Sequence, residues 1–130
     1  MIHQQDLVGD WANAQGAVMH VAADRTLTAE NIDSAEPHWK CSPTVTRAAW
    51  QFMVSYSGEG SYSSQTATKG DSFTVDVRPT NVNGEPTDLR CSFSADVRRD
   101  DRGYNLCLVE DPDETCTDHE LMRKVPAPPR

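Results

Sequence analysis

The stretch LVGDWANAQGAVMHVAADRTLTAENI, residues 7–32, starts with a strand-like run around Gly-Asp-Trp and continues with two runs of alternating apolar and polar residues. The turn-forming sequences NAQG and AADRT separate these runs, and the spacing of an amphipathic helix is missing. Such alternation is typical of strands with one buried and one solvated face. We therefore predict strands near 6–13, 16–22 and 26–32, and Trp11 in the first of them either binds a ligand or closes one end of a barrel.

The alternation continues through the rest of the chain in AAWQFMVSY, DSFTVDV and DLRCSFSADV, which begin at residues 48, 71 and 88. With the turn-rich sequences between them, these runs predict further strands near 48–57, 60–67, 71–78, 88–98, 103–110 and 115–122. Short strands at this spacing are typical of an antiparallel meander, and a long single sheet closes because closure removes its exposed edges. The predicted fold is all-β: an antiparallel barrel of about eight strands over residues 1–124.

Two segments depart from this pattern of short strands and turns. Residues 33–47, DSAEPHWKCSPTVTR, carry prolines at 37 and 43 and are too irregular for a strand. We predict a loop there, either with a helical turn or as a lid across one barrel mouth, and long loops of this kind usually carry function. The last residues, VPAPPR at 125–130, are predicted to form a disordered tail.

Composition and charge argue against several classes of protein. The chain has 130 residues, the length of one domain, and its net charge of -8 argues against a nucleic-acid surface, since phosphate binding needs clustered Lys and Arg. No apolar run approaches the roughly 20 residues that a membrane span requires. Residues 1–10, MIHQQDLVGD, lack the charged start and apolar centre of a secretion signal. The chain is therefore either cytoplasmic or an exported domain without its signal or lipid anchor.

The four cysteines favour the second alternative, a secreted or cell-surface protein. Cys41, Cys91, Cys107 and Cys116 form an even set with no Cys-x-x-Cys pair, a pattern typical of a disulfide framework in an oxidising compartment. We expect Cys107 to pair with Cys116 or with Cys91, because these lie on strands predicted to be neighbours. The alternative is four reduced, buried cysteines that act as small apolar residues, which would fit a cytoplasmic protein.

The barrel interior and its mouth form the best candidate ligand site. A barrel of about eight strands either fills with side chains or leaves room for one small ligand. His20 alternates with Met19 and Val21, so it either faces outward or lies inside the barrel, where an imidazole would orient a ligand. The candidate ligand-binding residues are His20, Trp39, Trp50, Phe52, Tyr56, Phe73 and Phe93.

Little in the sequence points to catalysis or metal binding. The chain lacks a Gly-x-Ser-x-Gly elbow, and a Cys–His dyad in HWKC would lose its thiol to a disulfide. The acids of EDPDETCTDHE, residues 110–120, could hold calcium but lack the central Gly of a calcium loop. Cys107, Cys116 and His119 offer zinc only three ligands. We predict no catalytic residue, no metal site and no cofactor.

The opening stretch, with its Gly-Asp-Trp, resembles the start of lipocalin-like (calycin) small barrels, in which a Gly-x-Trp on the first strand closes one barrel end. It is similar to uncharacterised small secreted or lipid-anchored actinobacterial proteins, which begin with Leu-x-Gly-x-Trp and a hairpin ending in Asp-Gly-Thr-Phe, where ADRTLTAENI stands here. The resemblance extends to WQFMVSYSGEGSYS, residues 50–63, and LCLVEDPDETCTDHELMRK, residues 106–124. It implies that Trp11 is a structural plug and that Arg123 packs over its indole in a cation–π contact.

These observations predict a non-catalytic binding protein that holds a small apolar or amphipathic ligand in the barrel or a protein partner at its rim. One alternative is a secreted inhibitor or immunity-type protein, in which the N-terminal MIHQQ enters an enzyme cleft or the negative charge masks a basic toxin surface. A second alternative is a small barrel cyclase or isomerase, which mainly shapes its substrate. The sequence leaves the oligomeric state open.

Overall fold

A computed structural model describes residues 1–36, 39, 41–55, 61–77, 81–82, 85–86, 91–109 and 114–126 of the chain. Strands dominate these ranges, and no helix within them is long and apolar enough to cross a membrane. The elements in chain order are β1 (Ile2–His3), α1 (Gln4–Leu7), β2 (Gly9–Ala12), β3 (Val18–Val21), β4 (Thr26–Glu30), a 3₁₀ helix (Ile32–Ser34), β5 (Val45–Ser55), β6 (Ser61–Ser64), β7 (Lys69–Gly70), β8 (Ser72–Val77), β9 (Asn81–Val82), β10 (Glu85–Pro86), β11 (Cys91–Asp100), β12 (Gly103–Cys107) and β13 (Leu121–Lys124).

Eight strands close into an antiparallel barrel. In the main sheet the strand order is β4-β3-β2-β13-β12-β11-β8-β5-β6, and a further pairing of β4 with β5 joins the two sides into a cylinder. Strand β6 lies outside the cylinder, where it pairs with the end of β5 that extends beyond β4. The predicted all-β antiparallel barrel is confirmed.

The inner face of the barrel is the face that the alternation predicted. Trp50 and Phe52 of β5 and Phe73 of β8 are fully buried, whereas Asp76 of β8 is exposed. The Trp50 ring stands edge-on to Phe52 and Phe73, with ring centroids 5.3 Å and 6.3 Å apart. One apolar cluster runs through the barrel, and its buried members on the barrel strands are Trp11, Met19, Val21, Leu27, Ala29, Val45, Ala48, Trp50, Phe52, Phe73, Val75, Phe93, Ala95, Leu106 and Met122.

An N-terminal strap, residues 1–8, covers the end of the barrel at which β2 begins, which we call the stoppered end. Helix α1 includes the first two residues of the strand predicted at 6–13, and β2 begins only at Gly9. Ile2 and Leu7 are fully buried, and β1 pairs with β7 through Ile2 and Gly70. The strap is therefore part of the folded barrel, because two of its side chains belong to the apolar cluster.

The opposite end, which we call the lid end, is covered by part of the irregular segment predicted at 33–47. The 3₁₀ helix supplies a helical turn there and buries Ile32. Trp39 follows it and stands edge-on to Phe93 of β11, with ring centroids 5.7 Å apart. Strand β5 begins at Val45, earlier than the predicted residue 48.

Two disulfides staple the structure, in agreement with the predicted framework. Cys107 of β12 is bonded to Cys116, which is one of the two pairings expected for it. Cys91, the other expected partner, is bonded to Cys41 instead, with a Cα–Cα distance of 6.3 Å. The reason is that the segment covering the lid end brings Cys41 to the start of β11.

Strand β13 lies further along the chain than the strand predicted at 115–122. Residues 117–120 form a turn instead, closed by a hydrogen bond of 3.1 Å from the Glu120 amide to the Thr117 carbonyl. The ladder continues past β13, where the Val125 amide donates to the Asp10 carbonyl at 2.7 Å. Val125 is thus held to β2, and residues 127–130 of the predicted tail lie outside the described residues.

Candidate functional site

The barrel interior holds three of the predicted ligand-binding residues, toward the stoppered end. Trp50, Phe52 and Phe73 are fully buried, and the Trp50 ring stands edge-on to each of the other two. The Trp50 indole also donates to the Ala22 carbonyl at 3.0 Å, so its polar atom is satisfied within the protein. Tyr56, which was predicted to share their face, lies outside the described residues.

Trp39 and Phe93, two further candidates, meet at the lid end of the barrel. Phe93 is almost fully buried, and the half-buried Trp39 covers it from the side. The Trp39 indole donates to the Ser42 carbonyl at 2.9 Å, which fixes the ring to its own segment. The pair therefore closes this end of the barrel over the interior.

His20 faces outward, which is one of the two placements that the sequence left open, and it therefore does not lie in the barrel interior with the other candidate ligand-binding residues. Its Nδ1 lies 2.6 Å from Asp10 Oδ1, and 45% of its side chain is exposed. The two neighbours Met19 and Val21 take the inner face of β3, and alternation puts His20 on the other side. The imidazole thus belongs to the outer surface of the β2–β3 hairpin.

Trp11 lies at the stoppered end, directly beneath the strap. Its side chain is fully buried, and Nε1 donates to the Leu7 carbonyl at 2.9 Å. Both the apolar ring and the polar atom of the indole are therefore satisfied by the protein itself. This environment fits a plug that joins the strap to the first barrel strand.

Arg123 does not pack over the Trp11 indole in the way that the resemblance implied. In the pairing of β13 with β2, Arg123 lies opposite Ala12, and Lys124 lies opposite Trp11. The Arg123 guanidinium donates to both carboxylate oxygens of Asp100, at 2.5 Å and 3.3 Å. The pairing of β13 with β2 thus places Arg123 one residue away from the position opposite Trp11. A shift of one residue in register moves a side chain to the other face of a sheet.

We expect the Arg123–Asp100 pair to stabilise the folded protein to an extent that depends on pH. Hydrogen bonds from the Arg123 side chain and the Arg102 amide hold the pKa of Asp100 below its ordinary value of 3.8. Because the folded-state pKa is the lower one, this contribution is complete above the unfolded-state pKa and is lost as the pH falls through the folded-state pKa. Between about pH 5 and pH 2, urea denaturation should show a smaller loss of stability for D100N than for the wild type. Equal losses would show that the pair stabilises nothing.

The cation that lies over an indole is Arg25, in the turn between β3 and β4, a residue that the sequence did not single out. Its guanidinium carbon lies 4.5 Å from the Trp50 ring centroid. Nη2 of the same group donates to the Ala67 carbonyl at 2.6 Å and to Gln4 Oε1 at 2.9 Å. Arg25 thereby fastens the strap and the segment before β7 to the core.

A rim groove of about 550 Å³ lies beside the strap at the stoppered end. Met53 and Val54 form one wall, at the end of β5 that extends beyond the barrel, and residues 66–72 form the other. The second wall is held in place because the Gln4 amide donates to the Thr68 carbonyl at 2.8 Å and β7 pairs with β1. The position of the second wall therefore depends on the strap, which is far from it in sequence.

Gly70 allows the two walls of the groove to approach each other. A side-chain carbon at this position would lie 2.8 Å from Phe52 Cδ1 and 3.3 Å from the Met53 carbonyl oxygen. Neither neighbour is the end of a flexible side chain, so β7 can lie against β5 only because residue 70 is glycine.

The rim groove combines an apolar surface with a polar one. Its volume falls in the range of about 300 to 1,000 Å³ that is usual for small-ligand sites. The described lining residues include no His or Cys. The apolar lining comes from Met1, Met53, Val54 and Ala67, and the polar lining from Thr66, Thr68, Lys69, Asp71 and Ser72.

Two alternatives from the sequence lose their basis in the structure. Zinc binding by Cys107 and Cys116 is excluded because these residues are bonded to each other. An inhibitor that inserts MIHQQ into an enzyme cleft needs a free N-terminal segment, whereas Ile2 is fully buried and pairs with Gly70. The part of the chain that the structure describes contains no group of three metal-ligating side chains, and residues 110–113 lie outside it.

In comparisons with known proteins, no protein family, no curated protein and no solved structure matches the chain. The interpretation of the groove therefore depends on the residues that form it.

Proposed function

We propose that this chain is a non-catalytic binding protein and that its ligand is a small amphipathic molecule held in the rim groove. The observation that carries the proposal is the space of about 550 Å³ between the end of β5 and residues 66–72. Met53 and Val54 would contact the hydrocarbon part of such a ligand, and Lys69 would face its polar part. The methionine side chain adapts to ligands of different shape because it is unbranched and polarisable.

The groove supports this function better than the barrel interior does. The rings of Trp50, Phe52 and Phe73 fill the barrel interior toward the stoppered end, where the Trp50 ring packs against the other two. The strap covers one end, and Trp39 with its segment covers the other. A ligand in the interior would have to displace these side chains, whereas a ligand in the groove displaces only water.

We also propose that the barrel is lipocalin-like and that the protein works outside the cytoplasm, in secreted form or at the cell surface. The buried Trp11 at the stoppered end supports the lipocalin-like fold, and the two disulfides support a location outside the cytoplasm. Counting thiols in denatured, non-reduced protein from its own host tests the compartment, because four free thiols would contradict export.

Filling the groove tests the binding proposal. V54R places a long charged side chain against the apolar wall, and V125R adds the same side chain at an exposed position outside the groove. The probe is N-phenyl-1-naphthylamine, an uncharged fluorophore that the added Arg does not attract, titrated by fluorescence against the folded protein. We expect V54R to weaken its binding by about tenfold or more, because apolar contact is lost, while V125R stays within about twofold of the wild type.

Circular dichroism and urea midpoints of both variants separate a loss of fold from a loss of binding. If V54R folds and binds the probe as tightly as the wild type does, the groove is not the binding site. Native mass spectrometry of protein purified from its own host then gives the mass of any retained ligand.

A further inference from the structure

A second hollow, the stopper pocket, lies at the same end of the barrel, between the strap, the β11–β12 turn and the end of β13. Its volume is about 400 Å³, and the residues described for it are all different from those of the rim groove. The lining that matters here is Asp6, Trp11, Arg102, Tyr104, Arg123 and Lys124.

Three cations line this pocket in a chain that has 20 acidic residues and only 12 Lys and Arg. Arg123 is neutralised by Asp100, but the Lys124 ammonium donates to the uncharged Asp6 carbonyl at 2.8 Å. Among the described residues, neither Lys124 nor Arg102 forms an ion pair with a carboxylate. Two positive charges therefore meet at one concave site, where the Asp6 carboxylate is the only acid in the described lining.

Tyr104 is the aromatic wall of the stopper pocket that a ligand can contact, because the Trp11 side chain is fully buried and its indole is held by the Leu7 carbonyl. The Tyr104 hydroxyl donates to the Met1 carbonyl at 3.1 Å, and the Arg99 guanidinium carbon lies 5.1 Å from the Tyr104 ring centroid. A ligand that enters this pocket would meet walls that are already in place, which lowers the entropy cost of binding.

We propose that the stopper pocket binds a small organic anion, with one carboxylate or phosphate group on an aromatic or apolar body. The oxyanion would accept charge-assisted hydrogen bonds from Arg102 and Lys124, the two pocket cations that form no ion pair among the described residues. The body would lie against Tyr104. This site is independent of the rim groove, because the two hollows have different described walls.

Isothermal titration calorimetry with phenyl phosphate and with benzoate tests the proposal on the complete chain. R102Q and K124Q each remove one pocket cation, and R47Q removes one exposed cation on β5 outside the pocket. We expect R102Q and K124Q to weaken binding of at least one probe about tenfold each, the size of one lost charge-assisted hydrogen bond. R47Q and V54R should stay within about twofold, and the tighter of the two probes indicates which oxyanion the pocket prefers.

Three results would overturn the proposal. In the first, R47Q weakens binding as much as R102Q does, which would mean diffuse attraction to surface charge. In the second, the wild type binds neither probe at millimolar concentration. In the third, it binds inorganic phosphate as tightly as phenyl phosphate. Arg102 is exposed in a turn, so R102Q decides the question even if K124Q fails to fold.

Discussion

Replacing Trp11 by alanine is expected to lower the free energy of unfolding by about 3–5 kcal/mol, the usual cost of removing a fully buried Trp. The substitution empties the space beneath the strap and leaves the Leu7 carbonyl without its donor at 2.9 Å. We also expect the strap to loosen, because Leu7 loses its partner. Urea denaturation followed by circular dichroism measures the effect without depending on tryptophan fluorescence.

W11F is the matched variant, since it keeps an aromatic ring but removes the indole N–H. We expect it to fall between wild type and W11A, because the packing is partly kept and the hydrogen bond is lost. If W11A is within about 1 kcal/mol of the wild type, Trp11 is not a structural plug. The indole would then have to be considered again as a ligand contact.

Removing the Cys41–Cys91 disulfide should destabilise the protein by about 4 kcal/mol, more than removing Cys107–Cys116 does. The two bonds differ in the length of chain that they enclose, with sequence separations of 50 and 9. In the chain-entropy model the longer loop gives about 4 kcal/mol and the shorter loop about 3 kcal/mol. Double Cys→Ala variants of each pair, unfolded in urea without reductant, measure both values.

One effect works against the expected order of the two variants' stabilities. Cys107 is fully buried, so its replacement by alanine also removes buried volume and adds to the cost of the shorter loop. If the C107A/C116A variant is nevertheless the more stable of the two, loop length decides the effect. The reverse order would show that local packing around Cys107 outweighs chain entropy.

The strand faces could be predicted from the sequence because they depend on a local repeat of two residues. Trp50, Phe52 and Phe73 lie inside the barrel as the alternation predicted, and a disulfide joins Cys107 to Cys116 as one of the expected pairings. Barrel closure was also predictable, because closing a sheet of this many strands removes the edge strands that could otherwise pair with other chains.

The functional hollows could not be predicted, because they depend on contacts between distant segments. TKGD, residues 68–71, has the composition of a turn, and only the pairing of β7 with β1 turns it into a wall of the rim groove. Arg25 belongs to an ordinary turn sequence, and its contact with Trp50 appears only in three dimensions. The error at Arg123 arose from the register of β13 on β2, which no local pattern specifies.

The pairing of the first barrel strand with the last one has a consequence for biogenesis. Strand β2 joins β13 through Trp11 opposite Lys124, so the cylinder cannot close until the last strand has left the ribosome. Until then a nascent chain carries an open sheet, with β2 and β12 as free edges that can pair with other chains. Premature termination before residue 121 should therefore yield aggregates rather than a smaller folded protein.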